Sequence, residues 1–293
     1  MFVVVCTACK TNGDANSAEA TRGYAKSTAS GDGKFCFELT GARDEVLLGE
    51  PLTLLATLKN CSNETQSVPD LLAAEFGLLT VRIRRPVSTE GDIYFPAVRR
   101  NGRGRPRVNL EPDELMFATV PVYFGRSGWQ LQQPGLYEFS ASYSVDEIPL
   151  DAKPLAIYVE EPSGDKALWA AHTLMSNDAA AFLYLGGGDE KGAAMLRELI
   201  NELPASRWAD YARMGLAIES ASNPSGVAQT EACRSLERSI SEIDYDWIIA
   251  LRGVDTLKDC VQYGSMDKDV SQIDEEFVER HPNAAVIIKS IRP

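Results

Sequence analysis

The sequence has only two histidines, His172 and His281, and it contains no run of about 18 apolar residues. The second absence excludes a membrane-spanning helix from the chain as given. Histidine is the commonest general base, and the two histidines are far apart in the sequence, so a nucleophile would have few partners. We expect each histidine to pack or to cap a helix, and we predict no catalytic residues.

Positive charge is also scarce, because 29 Lys and Arg face 42 Asp and Glu, for a net charge of −13. A nucleic acid needs a basic face, so it is not an expected partner. Cys6 and Cys9 have CxxC spacing but no second pair, and an acidic calcium-loop start at Asp267 has Gln272 at its sixth position instead of Gly. We predict no metal or cofactor site, and we expect a helix to begin after Asp267.

The N-terminal segment runs from a short apolar stretch, Met1 to Val5, into Thr7-Ala8-Cys9 and then into a polar stretch. It resembles a bacterial lipoprotein signal, in which a small residue precedes the cysteine that is lipidated. The resemblance implies lipidation of Cys9 and a membrane contact only through that anchor. Residues 1–33 are therefore expected to be a signal remnant and a disordered linker. A plain apolar N-terminal strand is the alternative.

The four other cysteines fall two in each half of the chain. Cys36 and Cys61 are centred on a turn signal between two predicted strands, and Cys233 and Cys260 are centred between two predicted helices. We predict the disulfides Cys36–Cys61 and Cys233–Cys260, each stabilising the fold by about 3 to 4 kcal/mol. Disulfides imply an oxidising compartment. The alternative is four buried free cysteines that act as small apolar residues.

The apolar period changes from two to about 3.6 residues at Glu160 to Gly164, which predicts two domains, 34–161 and 165–293. Before the break, alternation predicts an all-β sandwich. The predicted strands are Leu52–Lys59, Leu79–Arg84, Tyr137–Tyr143, Phe35–Thr40, Ile93–Val98, Leu115–Val122 and Pro154–Val159.

The segment Pro134-Gly135-Leu136-Tyr137 opens one of these strands. It resembles the tyrosine corner of immunoglobulin-like sandwiches, in which the phenol bonds back to the backbone. With the turn signals that precede it, the segment looks like the immunoglobulin-like modules of bacterial extracytoplasmic proteins. Phe139 stands where the standard inter-sheet cysteine would be. The fold has many uses, so the resemblance implies no function.

After the break, apolar stripes at helical spacing predict an all-α domain. The stripes cover 168–182, 193–203, 208–218, 232–236 and 247–261. Gly186 to Gly188 would end the first helix, Asp189 would cap the second, and Pro204 would lie in the first turn of the third. Glu198 to Ser206 aligns with Glu276 to Ala284, and this helix-to-proline joint resembles tetratricopeptide-like helical hairpins. The alternatives are a helical hairpin array or an unrelated bundle.

Eight arginines and only two acidic residues lie between Arg82 and Arg107, so this segment carries +6 and the rest of the chain −19. Arginine forks suit phosphate and carboxylate groups. The candidate binding residues are Arg82, Arg84, Arg99, Arg100, Arg103, Arg105 and Arg107. The segment could dock an anionic glycan, lipid or acidic protein face, it could be neutralised by the acidic helical domain, or it could be a solvated loop.

These observations favour a non-catalytic bacterial cell-envelope protein, periplasmic or membrane-anchored, that mediates protein-protein interaction. The competing hypothesis is a module that binds an anionic glycan or lipid through the Arg82 to Arg107 surface. A hydrolase is the weakest of the three hypotheses.

Overall fold

The computed structural model describes residues 33–100, 106–222, 227–243, 245–264 and 266–291. A β-rich N-terminal part, which we call the β part, precedes a helical part. The strands are β1 Phe35–Gly41, β2 Glu45–Leu47, β3 Thr53–Asn60, β4 Gln66–Pro69, β5 Leu79–Arg84, β6 Gly91–Ile93, β7 Arg107–Leu110, β8 Leu115–Pro121, β9 Phe124–Gly125, β10 Gly128–Trp129, β11 Gly135–Val145, β12 Ile148–Asp151 and β13 Leu155–Glu160. The helices are α1 Asp165–Met175, α2 Asn177–Leu185, α3 Glu190–Glu202, α4 Arg207–Ser222, α5 Val227–Glu242, α6 Trp247–Gln262, α7 Val270–Arg280 and α8 Ala285–Ile291.

The strands form four small sheets. A three-stranded antiparallel sheet has the order β1-β3-β8, and the larger sheet has the order β2-β13-β11-β5-β6 with β12 paired to β11. Within the larger sheet, β2 runs parallel to β13 and the other pairs are antiparallel. The rings of Phe37 in β1 and Tyr143 in β11 lie 6.1 Å apart, so the two sheets contribute to one core.

One predicted strand is wrong in part. Residues 93–98 were expected to be extended and paired throughout, but β6 ends at Ile93. The Tyr94 amide still donates to Val81, and then the chain turns away from β5 so that Pro96 bridges Gly125. Proline has no N–H to donate, so the ladder with β5 cannot continue through Pro96.

The first apolar helical stripe is two helices instead of one. Ser176 separates α1 from α2 with an extended backbone (φ −62°, ψ 146°), and its Oγ accepts from the Ala179 amide. A serine side chain that bonds to a nearby N–H competes with helix continuation and favours a cap. Residues of the predicted stripe are buried in both helices, Ala171 in α1 and Ala179 and Phe182 in α2, and this is why period alone predicted one helix.

Most helix ends follow the expected chemistry. Gly186 ends α2 in the left-handed conformation, and the Asp189 carboxylate caps α3. Asp269 forms a capping box with Gln272 at the start of α7, so the acidic segment after Asp267 does begin a helix. Pro204 is an exception, because it lies in a turn before α4, whose first residue is Arg207.

Both predicted disulfides are present, Cys36–Cys61 in the β part and Cys233–Cys260 between α5 and α6. The Tyr137 hydroxyl donates to the Gln133 carbonyl at 3.0 Å, which is the backbone bond predicted from the sequence around Gly135. The first disulfide joins β1 to the residue that follows β3, and the second joins two neighbouring helices.

The β part and the helical part share one continuous cluster of buried apolar residues. The Trp208 indole in α4 donates to the Leu48 carbonyl at 3.0 Å, and Gly49 lies directly against the backbone of Ala171 in α1. Tyr184 in α2 packs against the rings of Tyr123 and Phe124. In the described residues, no helix has both the length and the apolar character needed to cross a bilayer.

Candidate functional site

The outward side of the larger sheet brings together two of the predicted arginines. Arg84 lies opposite Glu138 of β11 and Gly91 of β6, and Arg82 lies opposite Ser140 in the next row. Side chains alternate along a strand, and the intervening residues of β5 and β11 are buried. We call this surface the arginine face; it consists of Arg82, Arg84, Thr89, Gly91, Glu138 and Ser140.

The arginine face surrounds an open cavity of about 310 Å³. Two bonds hold Arg84 in place, from Nε to Glu138 Oε1 at 3.2 Å and from Nη2 to Oε2 at 2.7 Å. Arg82 is exposed and has no hydrogen-bond or ion-pair partner among the described residues. The cavity therefore offers one uncompensated cation beside a fixed ion pair and the hydroxyls of Thr89 and Ser140.

Gly91 keeps the cavity open. Its backbone does not adopt a positive φ, and a Cβ built there would meet the Arg82 Cβ at 3.4 Å, which is an ordinary contact. A larger residue could therefore occupy this position without backbone strain. Its side chain would extend into the cavity, because partners directly opposite on a sheet share a face.

Two further predicted arginines, Arg99 and Arg100, lie on the exposed segment that follows β6. The Arg99 guanidinium lies 5.7 Å from the centre of the Phe95 ring, and the Arg100 amide donates to the Glu75 carbonyl. A backbone hydrogen bond anchors this segment, and the side chains of Arg99 and Arg100 are exposed. Arg103 and Arg105 lie outside the described residues, as does Cys9.

Arg107 has a structural role instead. Its guanidinium donates to both carboxylate oxygens of Asp146, to the Ser67 carbonyl and to the Ser67 hydroxyl. The hydrogen bonds from Arg107 lower the pKa of Asp146. This pair lines a second cavity of about 440 Å³ between β7 and the β11–β12 turn. Few of its donors are left for a ligand, so Arg107 is not a good anion site.

Among the described residues of this segment, the ion pairs stay within the β part. Arg84 pairs with Glu138, Arg85 with Asp92 and Arg107 with Asp146. The alternative in which the acidic helical part neutralises the segment receives no support from these pairs. Arg82 is left exposed on the sheet.

A different arginine joins the two parts. Arg43, between β1 and β2, contacts the buried Glu50 carboxylate at 2.7 Å and lies 3.7 Å from Asp246 at the start of α6. Tyr211 in α4 accepts from Arg43 and donates to Asp246 at 3.1 Å. The half-exposed Arg207 lies 3.7 Å from Glu50. This buried network links the β part to two helices.

Burial changes the titration of this network. Burial raises the pKa of Asp246 to about 6, although the nearby Arg43 partly opposes the shift. Burial also raises the pKa of the Tyr211 hydroxyl. The sequence shows Arg43 and Glu50 flanking a turn, but it has no signal that pairs them with Asp246, about 200 positions away.

Sequence reasoning also missed Glu138, Ser140, Thr89 and Gly91 on the arginine face. A signal existed for the first two, because both lie on the polar side of a strand that was predicted from its alternation. Their neighbours could not be assigned, because the pairing of β11 with β5 joins residues more than 50 positions apart.

His281 takes the position expected of it, because it is buried at the end of α7 with its ring 4.7 Å from that of Phe277. His172 does not pack as expected, because it is exposed in the last turn of α1. Neither lines either of the two cavities. Among the described residues, no three His, Cys, Asp or Glu side chains gather into a group that could hold a metal ion.

No family model matches this chain, and no curated protein matches it. Among solved structures it is similar to a β-glucosidase from Erythrobacter marinus, with 16% identity and a TM-score of 0.26 over 43% of this chain and 15% of that one. It is also similar to a β-glucosidase from Listeria innocua in complex with glucose, with 18% identity and a TM-score of 0.25 over 43% and 16%. The chain thus spans about a sixth of these enzymes, and the likeness carries no argument about fold or function.

Proposed function

We propose that this chain is an extracytoplasmic binding protein whose arginine face holds an anionic ligand. The observation that carries the proposal is the exposed, unpartnered guanidinium of Arg82 in an open polar cavity. A cation that is not used within the described fold remains available to a ligand, and Arg recognises carboxylate, sulfate and phosphate groups through its fork of donors.

The surroundings support this role for Arg82. Arg84 is held in one position by two hydrogen bonds to Glu138. The Arg82 guanidinium is therefore the cation of the cavity that is free to bind a ligand. The chain as a whole is acidic, which makes a local basic surface the natural site for an anion. Rigid strands position these side chains more accurately than a loop would.

Arg82→Gln tests the proposal. Loss of a charge-assisted hydrogen bond costs about 1.5 to 3 kcal/mol, so we expect affinity for a soluble polyanion to fall roughly tenfold to hundredfold. Arg280→Gln is the matched control, because Arg280 is an exposed arginine on α7 and its removal changes the net charge equally. Biolayer interferometry measures the affinity of both variants for polygalacturonate, polyacrylate and dextran sulfate. Equal effects of the two variants would mean diffuse charge attraction and would contradict the proposal.

Gly91→Val provides a test that leaves the charge unchanged. Its side chain would occupy the cavity beside Arg82, and valine suits a strand. We expect a loss of binding at least as large as that of Arg82→Gln. Unchanged binding would mean that the anion does not enter this cavity.

We further propose that the β part is an immunoglobulin-like sandwich and that the helical part is a tetratricopeptide-like array. The shared core of the two sheets and the Tyr137–Gln133 bond support the first assignment. Each helix from α2 to α7 packs on the next, which supports the second. The two disulfides fit an oxidising extracytoplasmic environment. A bacterial envelope location with a lipid on Cys9 is part of this proposal.

Protein-protein interaction is the second function proposed. The helical part exposes several large apolar side chains, among them Leu185 at the end of α2, Tyr263 just after α6 and Val286 within α8. They do not line either of the two cavities. The arginine face therefore has the stronger support.

A further inference from the structure

The arginine face contains a carboxylate beside its cations. Glu138 has about a third of its side chain exposed and accepts one bond from Arg84 on each oxygen. A carboxylate oxygen has two acceptor sites, so each oxygen of Glu138 keeps one that Arg84 does not use, and Glu138 lines the cavity. A dense anion such as phosphate would be repelled by Glu138, whereas a ligand with hydroxyl groups would donate to it.

An exposed aromatic residue lies on the same side of the sheet. Tyr158 of β13 is 45% exposed and lies opposite Leu136 of β11, which is 55% exposed. Leu136 is two positions before Glu138 and therefore faces the same side. Ala156 lies opposite Glu138, and its small side chain does not obstruct the surface between Glu138 and Tyr158. Aromatic rings in binding sites supply flat apolar contact next to a few directed polar groups.

The distance between Arg82 and Tyr158 sets the minimum length of a ligand that contacts both residues. Strand geometry separates Arg82 and Tyr158 by two strand spacings and four residues along β11, or about 16 Å between Cα atoms. This distance exceeds a single sugar ring. A ligand that reaches both residues is therefore a chain.

We propose that the arginine face binds an oligosaccharide of acidic sugars, in which a ring carboxylate pairs with Arg82, hydroxyls donate to Glu138 and Ser140, and a ring further along the same sugar chain lies on Tyr158. The inference rests on the proposed function and names its ligand class. A bilayer of anionic lipid would satisfy Arg82 but would give Glu138 no role.

The decisive variant is Glu138→Gln. Recognition by charge alone predicts tighter binding of an anionic sugar chain to this variant, whereas recognition of its hydroxyl groups predicts weaker binding. Removing a negative charge strengthens the attraction of any polyanion. Recognition through hydroxyl groups predicts about tenfold weaker binding of polygalacturonate oligosaccharides, since a charged acceptor is lost. Polyacrylate of matched charge has carboxylates but no hydroxyls, so its binding should stay equal or tighten. Titration calorimetry on the full chain measures both ligands.

Two other variants keep the test valid if Glu138→Gln misfolds. Ser140→Ala should weaken polygalacturonate binding several-fold and leave polyacrylate binding unchanged. Tyr158→Ala should do the same, with Tyr263→Ala as its control, because Tyr263 is an exposed tyrosine of the helical part. Far-UV circular dichroism checks the fold of each variant.

The outcomes separate this inference from the proposed function. If Glu138→Gln tightens both ligands, or if dextran sulfate or phosphatidylglycerol vesicles bind through Arg82 while polygalacturonate does not, the sugar assignment is overturned and the proposed function stands. If no probe binds in an Arg82-dependent way, both fail. Tight polygalacturonate binding that is weakened by Glu138→Gln supports both.

Discussion

Arg43 has a costly position, because it is largely buried between two buried carboxylates, Glu50 and Asp246. Burial of charges costs free energy that is repaid only by close pairing and hydrogen bonds. Glu50 receives both an ion pair and the Leu47 amide, while Asp246 receives Tyr211 and the Ile249 amide. Removing Arg43 would leave two buried carboxylates near each other without the cation that lies between them, so this residue is needed by the charged part of the junction.

We expect Asp246 to make stability depend on pH. Its pKa is about 6 in the folded protein, above the value of 3.8 for an ordinary Asp, so the folded state binds the proton more tightly. Its contribution to the free energy of unfolding is therefore full below about pH 4 and is lost as the pH rises through 6, a change of about 3 kcal/mol. Asp246→Asn cannot titrate, and asparagine can still cap α6.

Urea unfolding at pH values from 4 to 7 measures this effect. The free energy of unfolding of the wild type, minus that of Asp246→Asn, should fall over this range. Other titrating groups are common to both proteins and cancel in the difference. A constant difference would show that Asp246 titrates normally.

At the scale of elements, the packing of α1 against the β part depends on one turn. Gly49 has φ of 82°, and a Cβ there would lie 2.5 Å from the Ala171 Cα and 2.7 Å from its carbonyl oxygen. Both atoms belong to the backbone of α1 and cannot move aside alone. Glycine is therefore required twice here, by the dihedral angle and by the approach of the helix.

Gly49→Ala should destabilise the protein more than Gly77→Ala does. Gly77 has nearly the same φ, 81°, but no atom within 4 Å of a Cβ, so it shows the backbone cost alone. Overpacking adds about 1 to 3 kcal/mol to the loss at Gly49. Urea unfolding of the two variants gives the difference. Equal losses would mean that α1 does not lie firmly against this turn.

At the scale of the whole molecule, the shared core implies cooperative unfolding. The buried cluster runs through both parts, and the Cys233–Cys260 disulfide encloses a sequence separation of 27 residues in the helical part. The chain-entropy treatment assigns a loop of this size about 3 to 4 kcal/mol. Destabilising the helices should therefore expose the sheets as well.

Replacing Cys233 and Cys260 with Ser tests this coupling. We expect the free energy of unfolding to fall by about 3 to 4 kcal/mol, and we expect amide hydrogen exchange to accelerate in β3 as well as in α5 and α6. Hydrogen exchange measured by mass spectrometry resolves these segments. Faster exchange confined to the helices would show that the two parts unfold independently.

The sequence by itself determined the features that local physics controls. Alternation predicted β5 residue for residue, and cap chemistry placed Asp189 and Gly186. Two cysteines in each half, centred on a turn between two elements, predicted both disulfides. The Tyr137 backbone bond followed from its Gly-x-Tyr context. All of these depend on residues close in the chain or on a pairing across one turn.

Only the tertiary structure decided which arginines are free. Arg82 and Arg107 belong to one basic segment and have the same chemistry, yet Asp146 and Ser67 occupy Arg107 while Arg82 faces an open cavity. The joining of the two parts by Arg43, Glu50 and Asp246 was equally hidden. The physical reason is that charge pairing depends on separations of 3 to 4 Å in space, which strand and helix packing sets between residues far apart in the chain.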